Sequence, residues 1–187
     1  MWIGLVGSEM CIRDSYINDL ILMDAINGDE ITRIELGDEF RNRFKNPYAV
    51  VHRGDLHGVF LNACKENNLI EMSTSKNIIS YEQNADGVFA ISDDGNKING
   101  IALIGAEGLW SKIRAQLVGD GPPKVSGHTT YRSVIPIDQM PEELRWNAAT
   151  LWAGPKCHIV HYPIHGGKSF NLVVTYHNDA LEPVAGK

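Results

Sequence analysis

His158 and Tyr162 are the residues whose types and spacing most directly suggest chemistry. They lie four positions apart in the run His158–Tyr162, which reads as a β-strand. Side chains alternate faces along a strand, so an even spacing puts both on one side, their backbones roughly 13 Å apart at about 3.3 Å per residue. Two long side chains converging across that distance enclose a space the size of a benzene ring. A neutral imidazole accepts a phenolic proton near neutral pH, and a tyrosine hydroxyl orients a ring by hydrogen bonding. A merely structural His and Tyr in a sheet have the same spacing, and the residues alone leave both readings open. Metal chemistry is not expected of the nearest histidine cluster, His158, His161 and His165. His158 and His161 are an odd number apart and point to opposite faces, while Pro163 and Gly166-Gly167 interrupt the run around His165.

Two further places have the character of anion sites. The stretch Ile101–Arg114 runs from an aliphatic segment through Gly105 and Gly108 into an amphipathic helix opened by Ser111 and Lys112, with Ile113, Leu117 and Val118 on its apolar side. The segment Ile101–Ile104 is expected to be a strand buried on both faces. A glycine-bearing turn from strand to helix lets a ligand approach the backbone and presents unpaired N–H groups to it. Glu107 sits in that corner, where a carboxylate can bind a ribose hydroxyl or a water on a pyrophosphate. Arg53 stands just ahead of a helix for which Asp55 is the expected N-cap, and an arginine there pairs bidentately with phosphate. The strand beginning at Ile78 offers backbone groups only.

Other elements must position these residues. Tyr16–Asp24 and Glu30–Leu36 read as strands joined through Asn27-Gly28, a strong hairpin signal. Leu56, Val59, Phe60, Ala63 and Cys64 recur at helical spacing. Leu69–Met72, Asn77–Glu82 and Val88–Ser92 read as strands, the last turning at Asp93–Asn96. Gly119–Val125, with Pro122-Pro123, is the best linker. Beyond it, Thr129–Ile137, Thr150–Ala153, His158–Tyr162 and Phe170–His177 are strands of a mostly antiparallel sheet. The fold class expected is α/β (α+β): residues 16–124 as a partial dinucleotide-binding domain with a β-meander, and 125–187 as the start of a second, sheet-based domain.

The 187 residues carry a net charge of −6, which disfavours nucleic acid as a partner, and no apolar run is long enough to span a bilayer. Three cysteines, Cys11, Cys64 and Cys157, without a CxxC pair, suggest a reducing, cytoplasmic setting. Residues 1–15 are expected to be an artefactual leader, because Glu9–Asp14 matches what a sequencing-library transposon end encodes when read in frame.

The stretch around Gly105, Ala106, Gly108, Ser111 and Arg114 resembles the second fingerprint of the FAD-dependent aromatic hydroxylases, with Glu107 where that family usually has Asp. The Arg53-Gly54-Asp55-Leu56 segment resembles their flavin-phosphate arginine followed by a helix start. Gly127–Arg132, Leu144–Asn147 and Leu151–His158 are similar to the substrate domain of the 3-hydroxybenzoate 6-hydroxylases, with salicylate hydroxylases close behind. The resemblance covers about Tyr16 to Lys187 and implies an FAD-binding Rossmann-like domain followed by a substrate domain. It implies FAD contacts at Arg53, Ile78, Glu107, Gly108 and Arg114, with NADH or NADPH as reductant and O₂ and a small aromatic acid as co-substrates. It also implies hydroxylation of a hydroxybenzoate through a C4a-hydroperoxyflavin, with His158 as base and Tyr162 as orienting group. The alternatives are decarboxylative hydroxylation of salicylate and, for the literal chain, a cofactor-free domain. The chain contains no Gly-x-Gly-x-x-Gly, the family's first fingerprint, so it is expected to be an internal piece that by itself neither retains FAD nor turns over.

Overall fold

The computed structural model describes residues 15–178. The expected leader lies outside the described residues except for Ser15, which is buried and forms strand β1 (Ser15–Tyr16). Chain contacts divide into two units, one joining the segments before residue 68 and after residue 125, the other spanning Asn68–Val125.

In the first unit, β2 (Asp19–Asp24) and β3 (Glu30–Glu35) form the expected hairpin. The Asp24 carboxylate accepts the Ile26 N–H at 2.7 Å, and Gly28 takes φ +83°, where a Cβ would be strained. Helix α1 (Asp38–Phe44) follows, then β4 (Ala49–Val50), which pairs with β1. Helix α2 (Arg53–Glu66) begins three residues earlier than expected. His52 holds the cap position, and Asp55 lies inside the first turn, where its charge still complements the helix dipole. The expected apolar stripe of α2 is not buried; Phe60 is 48% exposed.

In the second unit, β5 (Ile78–Asn84), β6 (Gly87–Ser92) and β7 (Lys97–Gly100) form the antiparallel meander read from the sequence. In β6, Val88, Ala90 and Ser92 are buried in strict alternation. Asp94 fixes the β6–β7 turn by accepting from Lys76, Ser92 and Asn96, and these bonds, the lysine's first, hold its carboxyl well below the usual range. Helix α3 (Lys112–Val118) binds the free edge of β5. The Gln116 amide accepts from Tyr81 N–H at 3.0 Å and donates to the Tyr81 carbonyl at 2.7 Å. Only Ile113 of the expected apolar side is buried; Leu117 and Val118 are 69% and 60% exposed.

Two expected strands are absent. Leu69–Met72 is irregular, with Leu69 89% exposed. Ile101–Ile104 is neither strand nor core: Ile101 is fully exposed and Ile104 is 88% exposed. A strand exists through its ladder of backbone bonds, and among the described residues no strand pairs with either segment.

The remaining strands of the first unit are β8 (His128–Pro136), β9 (Ala148–Gly154), β10 (Cys157–Ile164) and β11 (Ser169–His177), all as expected. They share one sheet with the first hairpin, in the order β3-β2-β9-β10-β11-β8, and only β2–β9 is parallel. Residues 19–35 were expected in the dinucleotide-binding domain; instead β2 pairs along its whole length with β9. Local periodicity shows that a strand forms, whereas a partner more than a hundred residues away leaves no local mark. Ile21, Met23 and Ala148 form the core of one face, with Trp146 and Trp152 packed on it.

Candidate active site

Strand β10 presents two different faces. Register places His158 opposite Ala153 of β9 and Thr175 of β11, and Tyr162 opposite Asn171. His158 and Tyr162 share one face, as their spacing requires, and both are half-buried. Val160 lies between them, in register with Leu151 of β9 and Val173 of β11, and Arg132 of β8 is next in that register. A half-buried imidazole and phenol on this face remain reachable by a small aromatic ligand and are able to exchange a proton with it.

His161, on the opposite face, is only 3% exposed. Its ring lies among Trp146, Trp152 and Phe170, with centroid separations of 6.0, 6.3 and 6.2 Å. Neither ring nitrogen has a hydrogen-bond partner, and neither has the hydroxyl of its cross-strand neighbour Thr150. Burial pushes its pKa below the ordinary imidazole value, so it stays neutral. Pro163 and Phe170, on this same side, border a hollow of about 440 Å³ with Tyr16, Arg145, Trp146 and Asn147. Sequence spacing separated His161 from His158 but carried no signal of its aromatic surroundings.

The residues expected to contact FAD fall in both units. Arg53 is the first residue of α2 and is exposed. Ile78 opens β5, half-buried and paired with Ser92. A short 3-10 turn over Gly108–Trp110 leads from the glycine corner to α3. Gly108 has φ +81° and open space where a Cβ would stand, so its backbone is approachable. At Gly105 a Cβ would stand 3.1 Å from the Ile113 side chain, so glycine there serves packing. The Glu107 carboxylate turns back on α3, accepting from the Ser111 hydroxyl at 2.5 Å and the Ile113 N–H at 3.3 Å. These bonds, the serine's first, lower its pKa. Ser111 in turn caps the helix by accepting from Arg114 N–H at 3.0 Å, and the Arg114 guanidinium pairs with Asp120. Glu107 and Arg114 therefore brace the corner. The Gly108 turn leaves its backbone open to a ligand, and the Arg53 guanidinium, in the other unit, is exposed.

No protein-family model matches the chain. Among curated proteins, 3-hydroxybenzoate 6-hydroxylase 1 of Aquipseudomonas alcaligenes is 53% identical over 171 residues, covering 91% of this chain and 43% of that protein. The 3-hydroxybenzoate 6-hydroxylase of Klebsiella oxytoca is 44% identical over 177 residues, 95% of this chain and 44% of that protein. Among solved structures, Klebsiella pneumoniae HpxO complexed with FAD and uric acid superposes with a TM-score of 0.78 at 21% identity, over 97% of this chain and 44% of that one. A salicylate hydroxylase substrate complex gives 0.76 at 17% identity, over 98% and 47%, and at such identities the likeness speaks for the fold. No helix among the described residues is long and apolar enough to cross a membrane. In sequence and in fold the chain belongs to the FAD-dependent aromatic hydroxylases, and it spans a little under half the length of the curated relatives it matches.

Proposed function

We propose that this chain supplies the substrate-facing sheet and part of the flavin-binding surface of an enzyme that converts 3-hydroxybenzoate to 2,5-dihydroxybenzoate. The observation that carries the reading is the placement of His158 and Tyr162 on one half-buried face of β10. The two curated 3-hydroxybenzoate 6-hydroxylases support the choice of substrate. Bound FAD, reduced by NADH, supplies the activated oxygen. By the family resemblance Arg53 and, separately, the Gly108 turn and the backbone at Ile78 would contact the cofactor, with Glu107 and Arg114 keeping the turn in shape.

The chain's own residues govern the ring. A nitrogen of His158 takes the proton from the 3-hydroxyl oxygen, and the Tyr162 hydroxyl fixes the ring's orientation. The resulting phenolate pushes charge to the carbons ortho and para to C3. C6 is the para position, so deprotonation at this site activates the carbon that the reaction oxidises. Val160 and Val173, paired across β10 and β11, offer the ring an apolar surface between the two polar side chains.

Expressing the longest reading frame that contains this chain and supplying FAD, NADH, O₂ and either 3-hydroxybenzoate or salicylate tests the proposal. 2,5-Dihydroxybenzoate from the first acid is expected. Catechol from salicylate, with 3-hydroxybenzoate untouched, would mean decarboxylative attack at C1 and overturn the substrate assignment.

A further inference from the structure

Spacing along the chain groups His165 with His158 and His161. The fold places His165 beside different residues. At the start of α2, His52 and Asp55 meet His165 from the β10–β11 turn, and one ligand atom from each of the three lies within 4.8 Å of the others. His165 Nε2 is 3.4 Å from one Asp55 oxygen and His52 Nδ1 is 3.9 Å from the other. The two imidazole rings tilt together with centroids 4.8 Å apart. We propose that His52, Asp55 and His165 form a binding site for a divalent cation of the zinc class, with water as the fourth ligand.

Three features beyond proximity support the assignment. The Nδ1 atom of His52 is shielded from solvent and has no hydrogen-bond partner, although the ring as a whole is part-exposed. Gly54 makes room for that ring: a Cβ there would stand 3.0 Å from His52 Cε1 and 3.2 Å from Nδ1. His165 takes φ +54°, a left-handed conformation that costs a β-carbon residue energy, with Gly166 and Gly167 continuing the turn. The turn presents the imidazole to Asp55.

Two imidazoles and one carboxylate are a donor set suited to Zn²⁺, whose bonds to nitrogen and oxygen are about 2.0–2.2 Å. Tetrahedral bonds of that length need donors closer than they stand here, a change that side-chain rotation supplies. The charge balance limits affinity. One carboxylate offsets half of the ion's charge, while the α2 N-terminus and neighbouring Arg53 oppose it. The ion would tie the start of α2 to the β10–β11 turn and so restrain Arg53, making this a positioning site.

Calorimetric titration of the chain with zinc chloride, alongside His165→Gly and Asp55→Asn, tests the site. Glycine accepts φ +54° without strain, so His165→Gly keeps the fold, which thermal unfolding without metal verifies. One zinc per wild-type chain is expected, with at least tenfold weaker binding in either variant and release on acidification, since protonated imidazole cannot ligate. Absence of saturable zinc binding, with only hydrogen-bonded His–Asp contacts left, would overturn the proposal. So would stoichiometric binding that survives His165→Gly but is lost in His128→Ala, whose ring lies against His177. Because the readout is binding and not hydroxylation, either result leaves the proposed reaction untouched.

Discussion

His158 and His161 lie on the same strand, one turned to each face, and their surroundings set what each is able to do. His158 is half-buried beside Val160 and across from Thr175, where a ligand is able to reach it. His161 is enclosed by three aromatic rings with both nitrogens unpaired, where a charge has no compensation. The residue type is the same and the backbone the same; the difference is the parity of position. A histidine in a sheet is a candidate base only when its face stays open.

The strongest way to break this comparison is to remove the packing of the closed face. Phe170 is 2% exposed and lies against His161. Phe170→Ala is expected to cost about 3–5 kcal/mol in a urea unfolding curve, as for other buried phenylalanines. A loss under 1 kcal/mol would show that the face is not a core.

Titration sharpens the contrast next. The pKa of His161 is lowered in the folded state by desolvation, so the unfolded chain binds the proton more readily. Stability is then fully present above the ordinary imidazole range. It falls as pH drops through that range, by about 1.4 kcal/mol per pH unit until the lowered folded value is reached. His161→Leu is expected to flatten that part of the pH–stability curve, as read from urea unfolding at each pH.

Thr150 gives a smaller effect of opposite sign. Its hydroxyl is fully buried and unpaired beside His161. Thr150→Val removes an unsatisfied polar group at nearly constant shape and is expected to stabilise by about 1 kcal/mol. On the open face, Tyr162→Phe is expected to change unfolding free energy by less than about 0.5 kcal/mol. A larger loss there would mean that the open face is also structural.

The open face was legible from spacing, because period-two alternation fixes which side chains share a side of a strand. The β2–β3 hairpin and the β5–β7 meander were legible for the same reason, with Asn27-Gly28 and Asp93–Asn96 supplying the turns. What failed depends on distant partners. Ile101–Ile104 has the composition of a buried strand, yet burial is a property of what pairs with it, and here nothing among the described residues does. The addition of β2 to the β9 edge, the aromatic rings around His161 and the meeting of His165 with Asp55 all join residues far apart in sequence. Glu107 shows a subtler gap. Its position in the glycine corner was readable, but the inward turn of its carboxylate onto Ser111 was not.

The most direct test compares kcat/KM for 3-hydroxybenzoate between His158→Ala and His161→Leu, each in the longest reading frame containing this chain. Loss of a positioned proton acceptor predicts a fall of about 10²–10⁴ for His158→Ala, with His161→Leu staying within a few-fold of the parent. A His158→Ala enzyme that works as well as the parent, or a His161→Leu enzyme that alone is inactive while still folded, would contradict the assignment of chemistry to the open face.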